Sequence, residues 1–390
     1  MYIKIVLLLI LAGGVVLGYA VQRTAPNNAD YSSSQSENKE FRIQNSKDLV
    51  PQIKNVETTV FIPYWNIPAS SAEVENYDTL IYFGVVPDEN GKMISDLGFK
   101  NIESFIQNTS NRQTRVLTIR MLDTDSNLAI LDDVSRQTTV VRQTVGLIED
   151  YGFDGVVLDL ELGVIPLGDV QSSITEFVER FSKEVHATDR TFAMTIYGDT
   201  LYRARPYDIQ KLTQYVDQMY IMAYDFHKSR GEPGPNFPLT RRSFSEDGQE
   251  YDYDFQTMIN DFITVVPREK ITVLFGMYGY DWTLGLQGKP LKPAQAVPLK
   301  EIEKGIVPYC AIVQSKSLNS LASSVYAAEP YADCKIYENE LSHEKYITYI
   351  DDEGYNHVLW YEDEESVETK IEYLKNQGIG SVGYWVWGYF

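Results

Sequence analysis

The sequence predicts an α/β fold: a (β/α)8 barrel with a small α+β insertion between its seventh and eighth strands. Three observations lead there. Eight short, β-rich apolar runs are spaced along the chain, amphipathic helical patterns separate them, and the stretch before the last run is too long for one loop and helix. Strands apolar throughout, joined through helices, belong in a parallel sheet covered on its outer face.

The strand candidates, in order, are TTVFIPYW (58–65), TLIYFGVV (79–86), RVLTIRM (115–121), FDGVVLDLE (153–161), TFAMTIYG (191–198), VDQMYIMAYD (216–225), ITVLFGMYG (271–279) and GSVGYWVWG (380–388). Helical periodicity marks FKNIESFIQNT (99–109), VSRQTTVVRQTVGLIEDYG (134–152), QSSITEFVERFSKEVHA (171–187), DFQTMINDFITVVP (254–267) and EESVETKIEYLKNQG (364–378), with Gly152 and Gly378 as C-terminal stops. An open doubly wound sheet is the structural alternative, but no glycine-rich phosphate loop follows the first strand. The inserted subdomain is expected at about 285–360. It holds both cysteines and the run YITYIDDEGYNHVLWYE (346–362), which reads as a hairpin turning at Asp351–Gly354.

The barrel is expected over 54–390. Ahead of it, MYIKIVLLLILAGGVVLGYAV (1–21) is an apolar export segment, either a cleaved signal peptide or a retained membrane anchor, and 22–50 is a polar, aperiodic linker. The folded part is then extracellular or at the cell surface, touching a membrane only through that segment. Cys310 and Cys334 are too few for a disulfide framework or a structural zinc; one disulfide between them and two free thiols both remain open. A monomer is expected.

With 55 acidic against 34 basic residues the net charge is -21, and no Lys/Arg-rich block occurs. Binding to nucleic acid is disfavoured, since phosphate contacts need clustered cations. A neutral substrate is easier to accommodate. The four histidines are scattered and no His/Asp/Glu cluster has ligand spacing, so neither metal nor cofactor is expected.

FDGVVLDLE is too apolar to carry Asp154, Asp159 and Glu161 without a use for them. Alternation along a strand puts Gly155, Val157, Asp159 and Glu161 on one face and Val156, Leu158 and Leu160 on the other. The aliphatic face packs on helices, so the acids climb the inner face toward the carboxyl end of the strand, where barrel enzymes keep their catalytic groups. Two carboxyls at i and i+2 push one pKa up, which suits a general acid. The structural alternative is that both acids cap or pair at the strand–helix junction.

These residues carry a resemblance. FDGVVLDLE resembles the Asp-x-x-Asp-x-Asp-x-Glu signature of glycoside hydrolase family 18, the chitinase-like barrels, with Asp154, Asp159 and Glu161 matching and Val157 standing where the second Asp belongs. MAYD (222–225) is similar to the family's sixth-strand Met-x-Tyr-Asp, and GYWVWG (383–388) to its eighth-strand Trp segment. FGMYGYDWTL (275–284) and HVLWYEDEESVETKIEYL (357–374) resemble runs of bacterial spore-cortex and cell-wall N-acetylglucosaminidase members.

The resemblance implies an exported glycosidase that cuts β-1,4 links in N-acetylglucosamine-containing polysaccharide, peptidoglycan or chitin, by substrate-assisted retaining catalysis. It implies Glu161 as acid/base, Asp159 as the group holding the 2-acetamido N–H, and Tyr224 as donor to the acetamido oxygen. Asp154, Met222, Asp225, Tyr278 and Trp385 are implied to bind substrate, Trp385 as the floor under the distorted ring. Val157 removes the charge partner of Asp159, so attenuated or pH-shifted activity is expected. Alternatives are a catalytically weak or inactive sugar-binding barrel and a membrane-anchored interaction domain. Arg120, where the family's third strand often ends in Ser-x-Gly-Gly, is a charge partner for the acids, a groove residue or a rim ion pair.

Overall fold

The structure, a computed structural model, describes residues 53–163, 169–241, 251–317 and 331–390. The expected export segment (1–21) and linker (22–50) lie outside the described residues. Among the described residues no helix is long and apolar enough to cross a membrane.

Seven parallel strands come first: β1 (Glu57–Pro63), β2 (Thr79–Val85), β3 (Thr114–Met121), β4 (Gly155–Leu160), β5 (Thr191–Tyr197), β6 (Gln218–Ala223) and β7 (Ile271–Gly276). The chain then leaves for β8 (Tyr278–Leu284), β9 (Gln295–Pro298), β10 (Ala332–Glu338), β11 (Lys345–Ile350) and β12 (Asn356–Tyr361), and returns for β13 (Ser381–Trp385). The eighth barrel strand, β13, pairs in parallel with both β7 and β1, so the ring closes and leaves no edge. Each of the eight strands overlaps its expected run.

The helices form where local signals place them. Asp133 accepts the backbone N–H groups of Ser135 and Arg136 to start Val134–Tyr151, and Gly152, at φ +67°, ends it in the left-handed region. Asp363 and Ser366 form a reciprocal capping box at the head of Glu364–Asn376. The expected helix at 99–109 is broken into Leu97–Lys100 and Ile102–Asn108, because Asn101 is at once the C-cap of the first and the N-cap of the second. Short helices at Thr124–Leu131 and Ile209–Leu212 were not anticipated.

Leu158, Val156 and Leu160 are buried in the main core between barrel and helices, each contributing about 1.5–3 kcal/mol by leaving water. Val157 is buried in a separate inner cluster with Phe61, Ile81, Phe83, Val116 and Leu274. The two faces of the strand thus divide as the alternation requires.

The insertion is a five-stranded antiparallel sheet in the order β10-β11-β12-β8-β9. The hairpin between β11 and β12 is present, with Asp351 accepting the Gly354 side of the turn. The insertion begins earlier than expected. The run 271–279 is not one barrel strand: β7 stops at Gly276, Met277 donates its N–H to the Trp385 carbonyl, and β8 pairs with β12 instead. Cys310 and Cys334 are joined in a disulfide that ties the helix Val307–Ser317 to β10.

Candidate active site

Asp159 is the last inward residue of β4, and only 3% of it is exposed. It accepts the hydroxyl of Thr195 from the neighbouring β5. Burial first, and then the charge of Glu161, raise its pKa to about 7, against the opposing effects of the Thr195 hydrogen bond and the Arg120 guanidinium. At neutral pH this carboxyl is poised between its two forms.

Glu161 lies one residue beyond the strand end and is half-buried. Its Oε2 accepts the Tyr197 hydroxyl at 2.7 Å. Burial, then the Glu161 charge, push the Tyr197 phenol above its ordinary range, so it stays a donor. The backbone here is pinned: Glu161 N–H reaches the Met121 carbonyl at 2.8 Å, and the Asn127 amide donates to the Glu161 carbonyl at 2.9 Å. Tyr207 donates to the Leu160 carbonyl at 2.8 Å and accepts the Leu162 N–H at 3.1 Å. Side chains set by such a frame keep their aim.

Tyr224 and Asp225 follow the end of β6. Burial and the nearby carboxyls of Asp159, Glu161 and Asp225 push the Tyr224 phenol well above its ordinary value. Asp225 sits at φ +61°, a conformation Asp tolerates better than most residues. Its N–H is held by Asn236 Oδ1 at 2.8 Å, and its Oδ1 accepts hydroxyls from Tyr278 and, at 2.9 Å, Tyr280. Both tyrosines are on β8, so the inserted sheet supplies part of the wall. Trp385 closes the opposite side, with Phe83 edge-on at 4.6 Å and Phe61 at 5.7 Å.

A cavity of about 380 Å³ is lined by Asp159, Glu161, Met222, Tyr224, Asp225, Tyr278 and Trp385 together with Trp65, Phe83 and Arg120. Seven of the eight site residues expected from sequence therefore meet. Asp154 does not. It is exposed at the amino end of β4, where its Oδ2 accepts the Arg115 N–H at 2.9 Å and its carbonyl takes the Thr191 N–H. Seven residues at about 3.3 Å each separate it from Glu161 by the length of the barrel, so it stitches strand starts and lies away from this cavity.

Arg120 faces the cavity with its guanidinium over the Phe83 ring at 4.4 Å and acts on Asp159 through its charge. Thr195 and Tyr197 were missed. Their signal was present: two polar residues at i and i+2 near the end of an apolar strand, the same spacing as Asp159 and Glu161.

The site thus offers a carboxyl able to give and take a proton, a second carboxyl buried beside it, a phenol donor and an aromatic floor, in a cavity of sugar-ring size at the carboxyl end of a closed barrel. Those features define a barrel glycosidase. The sequence profile of Glycosyl hydrolases family 18 matches residues 31–389, and the chain belongs to that family.

The chain is 25% identical over 270 residues to a cortical fragment-lytic enzyme of Bacillus anthracis (67% of this chain, 52% of that protein). It is 22% identical over 276 residues to human di-N-acetylchitobiase (68% and 66%). The fold matches the Bacillus cereus spore cortex-lytic enzyme SleL with a TM-score of 0.63 at 21% identity, covering 87% of this chain and 72% of that one. It matches the Ostrinia furnacalis Group II chitinase catalytic domain 2 with a TM-score of 0.66 at 17% identity (85% and 89%). The chain spans about half the length of the first curated relatives it matches (52%).

Proposed function

We propose that the chain hydrolyses β-1,4 linkages next to N-acetylglucosamine in peptidoglycan or chitin, with the substrate's own 2-acetamido oxygen as nucleophile. The observation that carries this reading is the shared inner face of Asp159 and Glu161, in one cavity with Tyr224 and Trp385. Glu161 protonates the glycosidic oxygen, and the same carboxylate then activates water. Asp159 holds the acetamido N–H while the acetamido oxygen attacks C1, and stabilises the cyclic oxazolinium cation. Tyr224 donates to the acetamido oxygen, and Trp385 stacks under the ring. Asp225 is kept in place by Tyr278 and Tyr280. Relatives named as cortical fragment-lytic enzymes, as chitinases and as a di-N-acetylchitobiase support an N-acetylglucosamine glycan as substrate.

Attenuation by Val157 is part of the proposal. A fully buried valine leaves Asp159 without a carboxyl partner below it, so its proton is shared with Glu161 alone. That same feature favours the second reading, a sugar-binding barrel with little catalysis. Hydrolysis of a chromogenic chito-oligosaccharide, lost in Glu161→Gln while the oligosaccharide still quenches Trp fluorescence, supports the enzyme. Binding with no hydrolysis by the wild type supports the lectin-like reading. Residues 1–21 are proposed to export the chain; recovery of the protein only in the cytoplasm would overturn that.

A further inference from the structure

A second recess, of about 140 Å³, shares Glu161, Met222, Tyr224 and Asp225 with the main cavity, but Tyr197, Asp199, Arg205 and Lys228 line it in place of Trp385. If the sugar that loses its aglycone lies over Trp385, the leaving sugar lies in this recess, because the acid sits between the two. Arg205 lines the recess, lies over the Tyr197 ring at 4.2 Å and donates to Asp199 from Nη2, at 2.8 and 2.9 Å to its two oxygens, and from Nε at 3.1 Å. Arg203 pairs with the same Asp199 at 3.1 Å. Lys228 lines the recess, is exposed, and places its ammonium 5.7 Å from the Tyr197 ring centre. No carboxylate pairs with it among the described residues.

Arg203, Arg205 and Lys228 therefore meet three carboxyls, Asp199, Asp225 and Glu161, and Glu161 is neutral in the protonated form the hydrolase reading needs for the first step. Asp199 is spanned by both arginines, and Asp225 is occupied by the hydroxyls of Tyr278 and Tyr280. The uncompensated charge belongs to Lys228. Tyr197 links it to the chemistry, since the ring that faces Arg205 and Lys228 carries the hydroxyl bound to Glu161. In a β-1,4 bond the bridging oxygen is on C4 of the leaving sugar. A substituent on its neighbour C3 projects a few bonds away, along the Tyr197 face.

We infer that this recess selects a leaving sugar bearing a carboxylate on a 3-O substituent, with Lys228 as the reader of that charge. The inference rests on the hydrolase reading above and names the substrate class within it. Such a group is a 3-O-lactyl carboxylate or a carboxylate on a peptide attached there. A neutral chitin chain has neither.

The test compares kcat/KM for N-acetylglucosaminyl-β-1,4-N-acetylmuramic acid, the same disaccharide with its lactyl carboxyl amidated, and the disaccharide bearing a short acidic peptide. The wild type is expected to favour an acid form over the amide by about fivefold at low salt, a preference shrinking as salt rises. Lys228→Met brings that ratio near one and Lys228→Glu inverts it. Preference for the free lactyl acid assigns the lactyl carboxylate, and preference for the peptide-bearing form alone assigns the peptide; both support the inference. Equal rates on all three, or a preference unchanged in both Lys228 variants, overturn it while the hydrolase reading stands. No hydrolysis of these or of chito-oligosaccharides sinks the hydrolase reading itself.

Discussion

Tyr197 donates its hydroxyl to Oε2 of Glu161 across 2.7 Å, two residues after Thr195 donates to Asp159. One strand thus carries a donor for each acid on its neighbour. Tyr197→Phe is expected to lower kcat about tenfold through loss of one hydrogen bond to a charged group. Glu161→Gln should lower it about 10²–10⁴-fold. Because the two act as a unit, the double variant should be scarcely worse than Glu161→Gln. Additive losses in steady-state kinetics would show that Tyr197 works independently of Glu161.

Asp159 links activity to stability with opposite signs. Its folded pKa of about 7 lies above its ordinary value of 3.8, so the folded state holds the proton more tightly. Stability is fullest below about pH 4 and falls as pH rises through about 7. Asp159→Asn stays neutral throughout, so it should melt above the wild type at pH 8, with the gap closing toward pH 4, while hydrolysis is lost. A variant that melts lower at pH 8 by calorimetry would contradict the burial argument.

Val157 faces Thr118 in register on β3, and the Thr118 hydroxyl is buried without a hydrogen-bond partner among the described residues. Val157→Asp would give that hydroxyl an acceptor and give Asp159 a second carboxyl with which to share a proton. The variant should cost about 1–3 kcal/mol of stability, as an added buried polar group, and should move the pH–rate profile. Superimposable profiles for the two proteins would refute the idea that Val157 sets the working pH.

His357 on β12 is held between Asp281 at 2.9 Å and Asp351 at 3.1 Å. Burial disfavours its charged form, but the hydrogen bonds and charges of the two carboxylates outweigh it and raise its pKa. A raised histidine stabilises fully below its unfolded value of 6.5, and that contribution fades as pH rises through the folded value. The inserted sheet should therefore lose amide protection above neutral pH, and His357→Gln should flatten the trend. Hydrogen exchange measured from pH 6 to 9 decides this; a sheet equally protected across the range contradicts it.

Much of the barrel was legible because its signals are local. Alternation along β4 assigned Val157 and Asp159 to the inner face and Leu158 to the core before any neighbour was known. Caps such as Asp133 with Gly152 are read within a few residues. Tyr278 was legible as a site residue but not as part of the insertion. The extended run 271–284 has no break in β character, and where it leaves the barrel depends on pairing with β12, far along the chain.

The same division separates motif from site. Asp154 belongs to the matching pattern, yet strand rise carries it to the far end of the barrel, where its carboxylate accepts the Arg115 N–H. Sequence by itself determined the fold class, the family pattern and the inward pair of acids, because strand periodicity is a property of consecutive residues. Only the tertiary structure decided which donors reach those acids, which aromatic rings wall the cavity, and that Lys228 lines one recess with Glu161 and has no carboxylate partner among the described residues. Those facts depend on which strands and loops become neighbours across long stretches of chain, and no short window of residues encodes that.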